Sequence, residues 1–179
     1  RDWRTTYGAE VATLLTERVK DLRARANQLR SPPPLDTLNN ADFESARGDA
    51  PANWLHARGP GIEVTIVDQS PHRGRQSLSV KSDKEVVWVR SEPFPVPQSG
   101  RIAVWAWLKT KDPENQAPVR LAIEGRLDGK TYYRYATING ATGKGSTLQS
   151  GWTQYWFQID DLPSSRLTDL RVGFHMMGP

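Results

Sequence analysis

Residues 119–138 read VRLAIEGRLDGKTYYRYATI and predict a β-hairpin. The Asp-Gly pair at 128–129 stands between two alternating runs, and this dipeptide is a strong signal for a tight turn. A two- or four-residue loop pairs Glu124 with Tyr133, whereas a three-residue loop would turn the second strand over. Directly paired residues share a sheet face. The first register therefore places one set inward, Val119, Leu121, Ile123, Tyr132, Ala136 and Ile138, and another outward, Arg120, Glu124, Arg126, Tyr133 and Tyr135.

Similar short alternating runs follow one another from residue 39 onward, separated by Gly, Pro, Asn and Asp. Many short strands at this spacing indicate an all-β sandwich or barrel. A proline-rich segment precedes them, so we expect three parts: a helix in 1–31, a linker at 32–38 and a β-domain at 39–179. The predicted strands are 62–67, 76–81, 85–91, 101–109, 118–127, 131–138, 152–159 and 168–176.

Residues 7–29 predict an amphipathic helix that ends before the prolines of SPPPL at 31–35, because proline cannot continue a helix. Apolar residues at alternating four- and three-residue spacing form one stripe along this helix. The stripe favours packing against the β-domain or a neighbouring domain, and a helix-mediated coiled-coil dimer is the alternative. The stripe consists of Leu15, Val19, Leu22, Ala26 and Leu29.

Composition excludes several classes of function. The chain has 179 residues and no cysteine, which excludes disulfides, cysteine zinc sites and thiol nucleophiles. The net charge is +4, but residues 31–179 hold seventeen basic and sixteen acidic residues, so the β-domain is nearly neutral. A nucleic-acid partner is therefore not expected, because phosphate backbones require a basic surface. No apolar stretch approaches the ~20 residues of a membrane-spanning helix.

The strands outside the hairpin also carry aromatic and polar side chains opposite their aliphatic residues. In RIAVWAWLK, at 101–109, Trp105 and Trp107 alternate with aliphatic residues. Aromatic rings cover the C–H patch of a sugar ring, while Arg, Glu, Gln and His bond to its hydroxyl groups. We therefore expect a sugar-binding groove floored by Trp105, Trp107 and Tyr133; the alternative is that loops or the helix cover these rings. The candidate binding residues are Trp88, Trp105, Trp107, Glu124, Arg126, Tyr133, Tyr135, Trp156, Arg171 and His175.

Two other functions are compatible with the same strands. A glycosidase needs two carboxylates at a defined separation. Glu124 is the only acid clearly placed on the aromatic face within a strand, and Asp169 comes nearest as a second. The sequence therefore favours binding without catalysis over a glycosidase or a lyase. A third hypothesis is a protein-interaction or assembly module in which the N-terminal helix docks a partner.

Five segments of the β-domain share their order and spacing with one known family: NADFE (40–44) with the Asn-Trp pair at 53–54, HRGRQSLSV (72–80), RIAVWAWLK (101–109), GWTQYWFQI (151–159) and LTDLRVGFHMMGP (167–179). In these segments the chain resembles the jelly-roll carbohydrate-binding modules of the xylan- and glucan-binding type, which have a galactose-binding-domain-like fold. The resemblance implies a two-sheet antiparallel β-sandwich that binds polysaccharide without cleaving it. It also implies neighbouring domains in a larger exported protein, at an extracellular, cell-surface or periplasmic location.

The resemblance further implies a structural calcium ion near the start of the β-domain. On that pattern Glu44 is a carboxylate ligand, helped by backbone carbonyls of the loop 72–77, which suits the preference of calcium for oxygen. A solvated loop acid is the alternative for Glu44. Relatives continue past the Gly-Pro at 178–179 into a last strand, so we expect the β-domain to lack this strand and one sheet edge to lack its partner.

Overall fold

The computed structural model describes residues 3–30, 38–83, 86–138 and 147–178. In these residues one helix, α1 (Trp3–Arg30), precedes eleven strands. Apart from Leu38, the predicted linker lies outside the described residues. The strands are β1 (Ala46–Arg47), β2 (Ala50–Pro51), β3 (Trp54–His56), β4 (Ile62–Val67), β5 (Ser77–Ser82), β6 (Val87–Ser91), β7 (Ile102–Leu108), β8 (Val119–Leu127), β9 (Lys130–Ile138), β10 (Thr153–Ile159) and β11 (Leu167–Met176).

Five antiparallel strands form the first layer, in the order β3-β6-β11-β8-β9. The predicted hairpin forms its β8–β9 edge, and Glu124 pairs with Tyr133 as expected for a two-residue turn. Asp128 and Gly129 have φ angles of 50° and 78°. Two positive φ angles are what a type I′ turn requires, and this turn matches the twist of the flanking strands. The hairpin prediction and its register are therefore confirmed.

The second layer consists of two antiparallel ribbons, β4–β5 and β7–β10. Alternate residues of both layers point between them and form one hydrophobic core. The first layer supplies fully buried side chains such as Leu121, Ile123 and Leu170, and the β7–β10 ribbon supplies Val104 and Phe157. Each large apolar side chain buried in this way contributes about 1.5–3 kcal/mol to folding. The predicted all-β, two-sheet antiparallel sandwich preceded by one helix is confirmed.

A gap separates the two ribbons of the second layer. Strand β5 pairs with β4 and β7 pairs with β10, and neither has a second partner strand among the described residues. A cavity of about 1640 Å³ follows both edges and reaches core residues Val87, Val89 and Phe174. An unpaired strand edge presents a row of free backbone N–H and C=O groups. That a further strand occupies this gap stays a prediction.

All eight strands predicted from the sequence are present, with bounds within two residues of the expected ones. The sequence does not predict β1, β2 and β3, because two or three residues are too few to show an alternating pattern. Asn40 organises this segment through its side-chain amide, which bonds to backbone groups of Ser45 and Ala52 at 2.8 Å. Its backbone carbonyl accepts the indole N–H of the buried Trp54 at 3.0 Å. The start of the β-domain is thereby tied to the core.

Helix α1 carries exposed apolar residues between Val11 and Leu22. The exposed fractions of Val11, Leu14, Leu15, Val19 and Leu22 lie between 44% and 70%. Packing against the β-domain therefore does not cover this part of the predicted stripe. Of the described residues, none forms a helix with the length and apolar character needed to cross a membrane.

Candidate functional site

The outward face of the first layer gathers polar and aromatic side chains from four neighbouring strands. The core-facing residues of β6, β8, β9 and β11 alternate with residues on this face, because successive side chains of a strand point to opposite sides. Strands β6 and β9 flank β11 and β8 in the sheet, so the centre of this face is formed by β11 and β8. We call this set the Glu124 surface: Trp88, Arg90, Arg120, Glu124, Tyr133, Tyr135 and His175.

Glu124 and His175 form the centre of the Glu124 surface. Glu124 pairs with Arg171 across β8–β11, and His175 pairs with Arg120, so the two side chains start two rows apart. They nevertheless meet, with Nε2 of His175 2.5 Å from Oε1 of Glu124. The row between them is occupied by the paired residues Gly173 and Ala122. These small residues leave room for the bridge, and a larger side chain at either position would block it.

The Glu124 carboxylate is held ionised. Its pKa lies below the ordinary value, mainly because of the hydrogen bond with His175. The charge of His175 and the guanidinium of Arg90 lower the pKa further, whereas burial raises it. Nη1 of Arg90 lies 3.3 Å from Oε2. An ionised carboxylate only accepts hydrogen bonds, so Nε2 of His175 carries the proton. A general acid requires a raised pKa, so this glutamate is suited to accepting hydrogen bonds and poorly suited to protonating a leaving group.

Aromatic rings surround this polar centre. Tyr133 lies 5.2 Å from Tyr135 and 5.4 Å from His175, measured between ring centroids. The guanidinium of Arg120 lies 4.3 Å from the ring centre of Tyr135, within cation–π range. Burial raises the pKa of Tyr133, so its hydroxyl keeps its proton and can donate. Tyr135 is 46% exposed, so part of its ring is accessible to a ligand.

Two guanidinium groups on this surface have unused donors. Nε of Arg90 and Nε of Arg120 are buried and have no hydrogen-bond partner among the described residues. Arg90 also lies over the ring of Trp88, at 4.4 Å from its centre. A buried N–H without a partner is costly, so these two groups count against the stability of the folded chain. Both arginines point outward in the sequence pattern, but alternation alone does not reveal that their Nε groups lack partners.

Two predicted binding residues lie apart from this network. Arg171 donates from Nη1 to the backbone carbonyl of Ser91 at 3.0 Å, which links β11 to the end of β6. Arg126 stands near the hairpin turn, where Nε lies 4.0 Å from the carboxylate of Asp169. A register shift between Thr168 and Arg171 moves Asp169 out of the regular alternation. The structure thus gives both arginines contacts within the protein itself.

The predicted tryptophans Trp105, Trp107 and Trp156 lie on the other side of the sandwich. They belong to β7 and β10, in the second layer, whereas Tyr133 belongs to the first layer. Both layers turn their aliphatic residues toward the common core, so their second faces point in opposite directions. The predicted single groove floored by Trp105, Trp107 and Tyr133 is therefore wrong. Strand alternation shows which residues face outward, but it does not show to which sheet each strand belongs.

Glu44 binds backbone N–H groups in the structure. Its Oε1 accepts hydrogen bonds from the backbone of Arg75 at 2.7 Å and of Gln76 at 2.9 Å. These groups are donors, whereas calcium requires oxygen ligands. Among the described residues no cluster of three or more His, Cys, Asp or Glu could hold a metal ion. These contacts give Glu44 the role of fastening the loop after β4, and the calcium site stays a prediction.

Comparisons with known proteins are informative at the level of the fold. No family model matches the chain, and no curated protein matches it. Among solved structures, the CBM22-1 xylan-binding domain from Paenibacillus barcinonensis Xyn10C is 14% identical and superimposes with a TM-score of 0.52, over 75% of this chain and 80% of that chain.

A second similar structure is that of the CBM22-1 and GH10 modules of Clostridium thermocellum endo-1,4-beta-D-xylanase 10B, complexed with xylohexaose. It is 11% identical, with a TM-score of 0.53, over 79% of this chain and 25% of that chain. The chain therefore has the jelly-roll β-sandwich fold of carbohydrate-binding modules. At these identities the likeness establishes the fold, and the argument for function has to come from the surfaces themselves.

Proposed function

We propose that this chain is a non-catalytic carbohydrate-binding module and that it binds polysaccharide on the Glu124 surface. The observation that carries the proposal is the ionised Glu124, fixed between His175 and Arg90 and bordered by the exposed ring of Tyr135. Charged acceptors, unused donors and aromatic rings lie side by side there. This combination matches a sugar, which presents hydroxyl groups around a flat patch of C–H bonds.

Each part of the surface has a role in this binding mode. Tyr135 supplies a flat apolar platform for one face of a sugar ring. Glu124 accepts from sugar hydroxyls, and the guanidinium groups of Arg90 and Arg120 donate to them. Arg90 and Arg120 lie over aromatic rings and Glu124 is held by two partners, so little side-chain freedom is lost on binding. The low pKa of Glu124 argues against a general-acid role for the same residue.

The test is affinity electrophoresis through gels that contain soluble polysaccharides, with xylan, β-glucan and galactan as the first panel. We expect retardation of the wild-type chain by at least one of them. Tyr135→Ala should bind tenfold or more weakly, because the exposed platform is removed. Tyr135→Phe keeps the ring and should retain most of the binding, which makes it the matched control. Circular dichroism and thermal melting check that both variants are folded.

Two results would overturn the proposal. One is a wild-type chain that is not retarded by any polysaccharide of the panel. The other is unchanged retardation of both Tyr135→Ala and Glu124→Gln, since the binding site would then lie elsewhere. Release of reducing sugar from a bound polysaccharide, abolished by Glu124→Gln, would replace the binding role with a catalytic one.

The proposed setting is a larger exported protein in which the module holds neighbouring domains on a polysaccharide. The support is the fold, which is shared with modules that occur beside a GH10 module in one of the similar structures. On this proposal the protein acts outside the cell, at the cell surface or in the periplasm. Detection of the full-length protein in the culture medium or envelope fraction of its host would test the location.

A second candidate function, assembly through α1, is favoured by the exposed apolar residues of that helix. Leu15, Val19 and Leu22 follow the four- and three-residue spacing of a coiled-coil seam. The corresponding experiment compares the molar mass of the chain with and without residues 1–31 by light scattering. A dimer that becomes monomeric on deletion would support assembly, and two monomers of expected mass would remove it.

A further inference from the structure

The outward side of β7 and β10 is a row of exposed tryptophans, which we call the tryptophan face. Trp105 pairs directly with Trp156 across the ribbon, and Trp107 follows two residues along, opposite Gln154. The rings of Trp105 and Trp156 stack at 5.8 Å between centroids, with 23° between their planes. Their exposed fractions are 60% and 57%, and that of Trp107 is 42%. Three large apolar rings thus face solvent on one two-stranded ribbon.

Packing of the core does not account for these rings. The alternate residues of the same strands, Val104, Ala106, Tyr155 and Phe157, are buried between the layers. The ribbon would keep its core contacts if its outward side carried ordinary polar residues, as one-sided strands usually do. A contiguous exposed apolar patch of this kind is typical of a binding surface.

One end of the tryptophan face is held in place by neighbouring groups. Trp107 stacks on His72 at 3.9 Å, with 17° between the planes. His72 also meets the edge of Trp152, whose indole N–H donates to the carbonyl of Ser70 at 2.9 Å. Lys109 donates to the same carbonyl. The aromatic surface therefore extends beyond the two strands and is preorganised, which reduces the entropy lost on binding.

The chemistry of the tryptophan face selects among possible partners. Between the ion pair Arg101–Asp160 at one end and Lys109 at the other, the outward side chains are uncharged. A nucleic acid or an anionic lipid surface would require clustered basic residues there. Glutamine amides donate to and accept from hydroxyl groups, and indole rings cover C–H faces. The uncharged outward positions are Ala103, Trp105, Trp107, Gln154, Trp156 and Gln158.

We propose that the tryptophan face is a second, independent binding surface for an extended uncharged polysaccharide, on the side of the sandwich opposite the Glu124 surface. A flat ribbon with exposed rings suits a polymer chain lying on the surface of an insoluble polysaccharide. With one surface on each side, a single chain links two polysaccharide molecules. Binding to the tryptophan face does not require the Glu124 surface to bind sugar, so the two proposals can fail separately; only the linkage of two polysaccharide molecules rests on both surfaces.

The experiment is a depletion assay on insoluble cellulose and insoluble xylan, run beside the gels with soluble polysaccharides. The double variant Trp105→Ala/Trp156→Ala should bind the insoluble material tenfold or more weakly than the wild type. Trp105→Phe/Trp156→Phe keeps two rings on the ribbon and should bind substantially better than the alanine pair. Tyr135→Ala, on the other side, should lower retardation in the gels without a comparable loss on the insoluble material.

A separate measurement tests whether one chain links two polysaccharide molecules. The wild-type chain should raise the turbidity of a dilute suspension of polysaccharide fibres by bundling them, and the alanine pair should not. Retention of the alanine pair equal to that of the wild type would overturn the proposal, as would a wild-type chain that neither material retains. A change of molar mass by light scattering in the alanine pair would also overturn it, because the rings would then contact another copy of the chain.

Discussion

Replacing Glu124 with glutamine tests whether the bridge at the centre of the Glu124 surface has been described correctly. The carboxylate binds His175 at 2.5 Å and Arg90 at 3.3 Å. A hydrogen bond to a charged group contributes about 1.5–3 kcal/mol and a neutral one about 0.5–1.5 kcal/mol. Loss of the charge therefore weakens the His175 bond by about 1–1.5 kcal/mol. The longer, more exposed Arg90 bond counts for about half of that, so we expect Glu124→Gln to lower the free energy of unfolding by about 1.5–2 kcal/mol at pH 7.

The difference should depend on pH in a defined direction. The pKa of Glu124 in the folded chain lies below its ordinary value of 4.5. Between these two pKa values the unfolded chain binds more protons, so the contribution of the carboxylate is fully present above about pH 4.5 and is lost as the pH falls through the folded pKa. The gap between wild type and Glu124→Gln should therefore be widest near neutrality and should close in acid.

The assay is urea unfolding followed by tryptophan fluorescence at a series of pH values from 7 down to the acid limit of the fold. Glu63→Gln is the matched control, because Glu63 binds Lys81 at 2.9 Å and 3.0 Å on the exposed surface. Exposed pairs contribute about 0.2–1 kcal/mol, so the control should change little. Equal stabilities of Glu124→Gln and wild type at pH 7, or a gap that does not narrow in acid, would refute the reasoning.

Three further outcomes follow from particular contacts. Glu44→Ala removes two hydrogen bonds from the loop after β4 and should lower the free energy of unfolding by about 1.5–3 kcal/mol. An unchanged free energy of unfolding would contradict these bonds, and a lower melting temperature of the wild type in the presence of a calcium chelator would support the predicted calcium site. Ala122→Leu inserts a larger side chain where Glu124 and His175 meet. Overpacking should destabilise the fold by about 1–3 kcal/mol, and retardation in polysaccharide gels should disappear. Binding of the variant at the wild-type level would contradict the contact between Glu124 and His175. Leu170→Ala opens a cavity at a fully buried position. It should lower the free energy of unfolding by about 2–5 kcal/mol in the same urea assay. A loss below about 1 kcal/mol would place this side chain outside the tightly packed core.

Alternation and turn chemistry were sufficient to predict the sandwich. The Asp-Gly turn at 128–129 has a steric requirement that few other dipeptides meet, so the sequence favours the hairpin register that the structure shows. Strands of six or more residues show which side faces the core, and the burial of Val104 and Leu170 agrees with that pattern. The short strands β1 to β3 depend on the side-chain contacts of Asn40, which no periodic pattern reveals.

The site could be predicted only in part, because binding surfaces depend on contacts between distant strands. Glu124 and His175 are 51 residues apart and meet only because Gly173 and Ala122 lie between them. No local sequence pattern predicts the contact between these two side chains. In the same way, Trp105 is equivalent to Tyr133 in a strand-by-strand analysis, and only the pairing order of the sheets places them on opposite sides.

The gap between β5 and β7 has a practical consequence for work with this chain. Two strand edges with no second partner in the described part of the chain, beside an apolar cavity, can pair with any extended peptide, including the strands of other copies in a concentrated sample. Trp105 and Trp107 lie on β7, so pairing of another strand with β7 would stiffen or obstruct the tryptophan face although no tryptophan has been replaced. A dilution series that measures both the molar mass of the chain and its retention on polysaccharide therefore distinguishes pairing at the strand edges from helix-mediated dimers and from carbohydrate binding.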